Sequence, residues 1–216
     1  MKSLGIDEAG RGAIVSNLVI AGAVFTEENL EKLKKLGVKD SKLLTPKKRS
    51  EFYQQIIDLC EAFEIISVSP QEIDAALDSD STNLNWLEAD KTTDIINKLK
   101  PHKAIIDCPS PNISAYRDYL LSRLEQKTEL VVEHKADLNH IECSAASILA
   151  KVTRDSTILD LQKQLNIDFG SGYPSDPKTK IFVKKYCNKY PDLFRKTWQP
   201  FKDIIKSNSQ SKLTKF

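Results

Sequence analysis

A chain of 216 residues, 40% hydrophobic and 29% charged, is long enough for one substantial core with a small appendage. No stretch supplies the roughly 18 apolar residues of a membrane span. The start MKSLGIDEAG lacks the apolar run of a secretory signal, and Cys60, Cys108, Cys143 and Cys187 form no C-x-x-C pair; the expectation is a soluble cytoplasmic protein with reduced thiols and neither a disulfide nor a zinc scaffold. The 32 basic and 30 acidic side chains nearly cancel, yet residues 178–216 hold eleven Lys/Arg against Asp192 and Asp203, a local balance of +9 that leaves −7 elsewhere. Such a basic end suits a polyanion or a solvated lysine face, and the acidic remainder has carboxylates to spare for a cluster.

Short β-type runs at 2–8 and 17–25 flank a turn with two glycines and predict the first two strands. Thr45-Pro46 is a helix-start pair, and Phe52, Ile56, Leu59, Cys60 and Phe63 follow at helical spacing, so 46–61 reads as an amphipathic helix. FEIISVS is the third strand, 83–99 a helix, and KAIID a short buried strand ending at Asp107. A Pro-rich turn leads to a helix with Ile113, Tyr116, Leu120, Leu121 and Leu124 on one face, and ELVVEH is the fifth strand. Residues 141–165 contain no Gly or Pro and align Ala145, Ile148, Leu149 and Val152 as a packed helix. The loop DFGSGYPSDP, helical segments near 178–188 and 200–206, and a polar tail close the chain. A hairpin followed by alternating strands and helices predicts an α/β layered sheet with a helical C-terminal extension.

Three apolar runs stop at carboxylates: LGI at Asp7-Glu8, AII at Asp107 and LVVEHKA at Asp137. Strands often end in Asp because turns begin there. If these strands are neighbours, however, four carboxylates meet where α/β sheets place their ligands, and their mutual repulsion requires cations. Oxygen-only ligation favours Mg²⁺ or Mn²⁺ over zinc. Asp7 and Glu8 run directly into Gly10-Arg11-Gly12, a turn whose glycines allow close backbone approach to a sugar or phosphate.

These segments resemble ribonuclease HII, the type 2 ribonuclease H family. Six blocks occur in family order: GIDEAGRG (5–12), DSKLL (40–44), IID (105–107), EHKAD (133–137), SAASILAKVTRD (144–155) and GSGYPSDPKT (170–179), the last and EHKAD being similar to archaeal members. The resemblance implies a ribonuclease H-like fold, a mixed central sheet flanked by helices, over 1–179, with a helical basic extension over 180–206 and a flexible tail over 207–216. It implies a monomeric endonuclease that cleaves the RNA strand of RNA/DNA hybrids and incises 5′ to ribonucleotides embedded in duplex DNA, leaving 3′-hydroxyl and 5′-phosphate ends. Roles in replication and ribonucleotide excision repair would follow. The acidic tetrad falls on Asp7, Glu8, Asp107 and Asp137, which would hold two Mg²⁺ or Mn²⁺ ions, with Asp7 bridging them. Gly10, Arg11 and Gly12 would bind the 2′-hydroxyl, Tyr173 would stack on the neighbouring sugar, and Lys42 would lie near the phosphates. Lys151 and Arg154 belong to the shared helix and are secondary candidates. His134 and His140 are general-base candidates by type that this chemistry does not need.

Two departures stand out. After GRG the family continues with a proline and then a Gly-Pro pair, whereas this chain has Ala13-Ile14-Val15-Ser16-Asn17, which predicts a looser hairpin beside Asp7. Asp107 is followed by Cys108-Pro109-Ser110-Pro111 and not by an acidic residue and Asn, so its assignment rests on strand position. Separately, Gln210, Leu213 and Phe216 match the Q-x-x-[IL]-x-x-F spacing of a sliding-clamp-binding peptide, without its usual second aromatic. A DNA-cutting nuclease of the same fold and a non-catalytic duplex- or clamp-binding module are the rival readings.

Overall fold

The computed structural model describes residues 1–38 and 45–213. The elements in chain order are β1 (Lys2–Ala9), β2 (Leu18–Thr26), α1 (Glu27–Leu36), α2 (Pro46–Leu59), β3 (Ala62–Val68), α3 (Pro70–Asp78), α4 (Leu84–Leu99), β4 (Lys103–Asp107), α5 (Ile113–Leu121), β5 (Glu129–Glu133), α6 (Ala136–Asn139), α7 (Ile141–Leu165), α8 (Pro177–Tyr186) and α9 (Gln199–Leu213), with a 3-10 turn at Pro191–Leu193. They form two compact units: Met1–Ala9 with Val19–Ser67 and Asn85–Thr153, and Gly10–Leu18 with Val68–Leu84 and Arg154–Phe216. The expected boundary at 179 falls inside the second of these.

The first unit holds a mixed five-stranded sheet in the order β3-β2-β1-β4-β5. β1 pairs antiparallel with β2 and parallel with β4, and β4 pairs parallel with β5. Parallel neighbours start and stop together, so β1, β4 and β5 deliver their carboxyl ends to one edge. The core joins Val19, Ala21, Ala23 and Phe25 of β2 to Phe52 and Ile56 of α2 and to Ala145, Ile148 and Leu149 of α7. Helix α7 approaches β1 at Gly5, where a Cβ would stand 2.1 Å from the Glu142 carbonyl carbon, so only glycine admits the contact. All four cysteines are free. Among the described residues no helix is long and apolar enough to cross a membrane.

The second unit has its own core, in which Ile14 and Val15 pack with Ile158, Phe169, Phe182, Val183, Phe194 and Ile204. The prediction of a loose segment after Gly12 is therefore corrected. Ala13, Ile14 and Val15 are fully buried, the N–H groups of Ile14 and Val15 donate to the Gly172 carbonyl at 2.9 and 3.2 Å, and Val15 bridges to Phe194. Apolar side chains replace the stiffness a proline would have supplied.

Three helices were not expected. Helix α1 has a Thr26 cap, Glu27 and Glu28 in its first turn and Gly37 as a left-handed C-cap, and α3 opens on a Ser69–Glu72 capping box. Helix α6 corrects the placement of Asp137, which lies in a helical turn after β5 and not at a strand end. Helix α9 continues to Leu213, beyond the expected end at 206.

Candidate active site

Asp7 and Glu8 are consecutive in β1 and therefore point to opposite faces of the sheet. Asp7 shares the α7 face with Gly5, and Ser147 of α7 hydrogen-bonds its carboxylate. Asp107 ends β4. Beyond β5, Lys135 takes a left-handed conformation (φ 59°) that turns the chain into α6 and brings Asp137 back over the sheet edge. Ligand atoms of Asp7, Asp107 and Asp137 lie within 4.8 Å of one another.

Each carboxylate is held by its surroundings. The Glu8 N–H donates to Asp7 Oδ1 at 2.7 Å and the Ala136 N–H to Asp107 Oδ1 at 3.3 Å. The Ser144 hydroxyl donates to the Asp137 carbonyl, fixing the turn that carries that side chain. Asp7 is 6% exposed and Asp137 2%. Burial pushes the Asp7 carboxyl up to about 7, with the charges of Asp107 and Asp137 adding to it against the lowering effect of Ser147. A set that resists ionising all its members in the absence of a cation, and that offers only hard oxygen donors, fits a divalent ion such as Mg²⁺ or Mn²⁺.

Glu8 is not part of this three-aspartate set. It faces the other side of β1, where it lines a small cavity with Asp107, Glu88 and Thr92 of α4, and Tyr116 of α5. Alternation along the strand is the reason, and Asp107 is the residue common to both surroundings. Sequence reasoning missed Ser144 and Ser147, whose spacing in an otherwise apolar helical run was the available signal, and Glu88, which is 2% exposed. His134 Nδ1 lies 3.0 Å from the Cys108 carbonyl oxygen and His140 Nε2 3.1 Å from Glu133, so both have local partners.

In the second unit, Gly10 has φ +87° and begins the Gly10-Arg11-Gly12 turn. Tyr173 is half-buried in the 170–176 loop, which is tied by the Asp176 carboxylate accepting from Ser171 N–H at 2.8 Å and by Thr179 Oγ1 accepting from Gly172 N–H at 3.0 Å. Two buried arginines serve these loops. Arg195, 0% exposed, donates through Nη1 to the Arg11 carbonyl at 2.8 Å and through Nε and Nη2 to the Ser16 carbonyl at 3.2 and 3.1 Å. Arg154 lies against Gly10 and Tyr173. Lys151 is half-buried on α7. Lys42 and Phe216 lie outside the described residues, as do the side chains of Gln210 and Leu213, whose backbone belongs to α9.

The profile of the family described as ribonuclease HII matches residues 4–201. Ribonuclease HII of Pyrococcus furiosus is 44% identical over 225 aligned positions, which cover the whole chain and 98% of that protein. Among solved structures, ribonuclease H2 from Pyrococcus horikoshii superposes with a TM-score of 0.86 at 39% identity, over 97% of this chain and all of that one. The RNase HII of Archaeoglobus fulgidus, solved as a complex with PCNA, superposes with a TM-score of 0.84 at 34% identity, over 94% and 96% of the two chains.

Proposed function

The chain belongs to the ribonuclease HII family and is a metal-dependent ribonuclease H; from that premise we propose that Asp7, Glu8, Asp107 and Asp137 hold two Mg²⁺ or Mn²⁺ ions and that the phosphodiester is hydrolysed beside them. The enzyme hydrolyses the RNA strand of RNA/DNA hybrids and incises 5′ to ribonucleotides in duplex DNA, leaving 3′-hydroxyl and 5′-phosphate ends. The observation that carries the site is the convergence of three aspartate ligand atoms within 4.8 Å. Bound there, divalent ions would activate the attacking water and neutralise charge on the phosphate and the leaving oxygen. The protein's own work is to hold the carboxylates in place, through Ser147 on Asp7 and the Ala136 N–H on Asp107. Glu8 completes the set from the opposite face of β1, where it shares a cavity with Asp107.

Selectivity rests on the 2′-hydroxyl, read by backbone groups of Gly10-Arg11-Gly12 with the Tyr173 ring on the adjoining sugar. Lys42 contributes a phosphate contact. Gln210, Leu213 and Phe216 dock the enzyme on a replication sliding clamp, a reading supported by the PCNA complex of the Archaeoglobus relative. The protein works as a monomer in replication and repair. A duplex carrying a single ribonucleotide, incubated with and without Mg²⁺, tests the activity: cleavage 5′ to the ribonucleotide only with the ion is expected, and cleavage that persists in EDTA, or that ignores the ribonucleotide, refutes the proposal.

A further inference from the structure

Arg154 is 1% exposed, and its hydrogen bonding is poor for so buried a charge. Its Nη2 donates to the Ser171 carbonyl at 2.8 Å, its Nη1 stands 3.8 Å from Asp155, and its Nε is buried with no hydrogen-bond partner. Leaving one such donor unsatisfied carries a desolvation cost that an apolar side chain of similar length would not incur. Stability alone therefore does not account for an arginine here.

Its contacts do. The guanidinium carbon lies 4.5 Å from the centroid of the Tyr173 ring, inside the range of a cation–π contact. On its other side the same side chain is pressed to the Gly10 turn: a Cβ at Gly10 would stand 2.5 Å from Arg154 Nε and 2.6 Å from Cδ. Any residue other than glycine would displace the arginine, and the positive φ of Gly10 imposes the same restriction. One rigid fork thus touches both the ring and the turn.

We propose that Arg154 is the positioning residue of the ribose sensor, holding the Tyr173 ring at a fixed separation from the Gly10-Arg11-Gly12 turn before substrate arrives. The inference rests on the reading of those two elements as the sensor. Arg154 itself touches no substrate. Its contribution is preorganisation: a half-buried aromatic on a loop is otherwise free to change rotamer, and a stacking platform that must be ordered during the reaction is worth less.

A double-mutant cycle tests this. Single-ribonucleotide incision is measured for the parent, Arg154→Met, Tyr173→Ala and the double variant, alongside melting temperature. Each single variant should lose tens-fold or more in kcat with little change in KM, and the double variant should be no more than about threefold slower than the slower single, because either substitution already breaks the one guanidinium–ring pair. Losses that multiply overturn the inference while leaving the sensor standing. Parent-like incision by Tyr173→Ala overturns the sensor reading and the inference with it. If Arg154→Met does not fold, Arg154→Lys and Arg154→Gln enter the cycle under the same criterion, and failure of all three to fold makes Arg154 a structural residue and overturns the inference.

Discussion

The two compact units bury charge of opposite sign and solve the problem differently. In the first, Asp7, Asp107 and Asp137 crowd their oxygens within 4.8 Å, a charge that the cations proposed above would balance. In the second, Arg154 and Arg195 are buried among backbone carbonyls and an aromatic face, so protein dipoles do the neutralising. A crowded carboxylate cluster gains from losing a charge, whereas Arg195, whose Nε, Nη1 and Nη2 all donate to carbonyls, is satisfied as it stands and loses by any change. Substitutions in each unit separate these two situations.

The largest effect belongs to Asp7→Asn, which should reduce Mg²⁺-dependent incision to background while the fold survives. The metal-free protein should respond in the opposite sense. Asp7 rises from an ordinary 3.8 to about 7 on folding, so its contribution to stability is intact below about 3.8 and is lost as pH rises through 7. In EDTA at pH 8, Asp7→Asn should unfold later than the parent, by about 2–4 kcal/mol, and the gain should shrink at pH 5. Chemical denaturation at both pH values measures it. An equal effect at the two would mean that burial and the neighbouring carboxylates do not raise the Asp7 pKa.

Next in size is Tyr173→Ala, for which one missing stack of about 1–3 kcal/mol and one hydrogen bond near 1 kcal/mol predict a ten- to several-hundred-fold slower incision at a single ribonucleotide. Binding to an all-DNA duplex, dominated by phosphate contacts, should be nearly unchanged. Parent-like rates would remove the ring from the reaction.

A smaller change is expected from the basic surface. Lys180, Lys184 and Lys185 are exposed on α8. Replacing all three with Gln should weaken duplex binding alike for every sequence, and the slope of log affinity against log salt should fall by about 0.9 for each phosphate no longer neutralised. An unchanged slope would make these lysines solvated surface. Removing the whole segment after 177 is not an equivalent experiment, because Phe182, Val183 and Phe194 belong to the buried core of the second unit.

The buried phenylalanines of this segment mark a boundary between what the sequence makes legible and what it hides. Every strand of the sheet was readable, since β1, β4 and β5 are short apolar runs with abrupt polar ends. The long helix α7 was equally plain. Helices α1 and α3 carried both caps and an apolar spacing, Leu30-Leu33-Leu36 and Ile73-Ala76-Leu77, but they are only ten and nine residues long, and so short a signal is easily passed over. Asp137 was found as a carboxylate but placed on a strand, because nothing in EHKAD announces the left-handed Lys135 that starts α6. The division of Asp7 from Glu8 follows from strand alternation alone. The aromatic residues after 178 looked like an appendage because a charge count sees the lysines between them, while burial follows the phenylalanines.

The finest distinction concerns Ser16, which occupies the second unit's loop with φ 73° and is 2% exposed. Its backbone is held from both sides: the N–H donates to the Leu193 carbonyl at 2.9 Å, and its carbonyl accepts from Arg195 Nε and Nη2. The left-handed conformation is therefore imposed by the neighbours, and the side chain gains nothing in return, for its Oγ is buried without a hydrogen-bond partner. A Cβ in this conformation costs about 1 kcal/mol and an unsatisfied hydroxyl about 1–3 kcal/mol, against about 0.5–1 kcal/mol of extra unfolded-state entropy for glycine. Ser16→Gly should thus stabilise the protein by about 1–3 kcal/mol, at about 2–4 °C of melting temperature per kcal/mol for a chain of this size. Ser16→Ala, which removes the hydroxyl and keeps the strained Cβ, should gain less. Incision rates should stay within about twofold of the parent, since Arg195 grips the backbone and not the side chain. A Ser16→Gly protein that melts below the parent would show that the hydroxyl is satisfied in solution and that this loop, unlike the aspartate cluster, stores no strain to release.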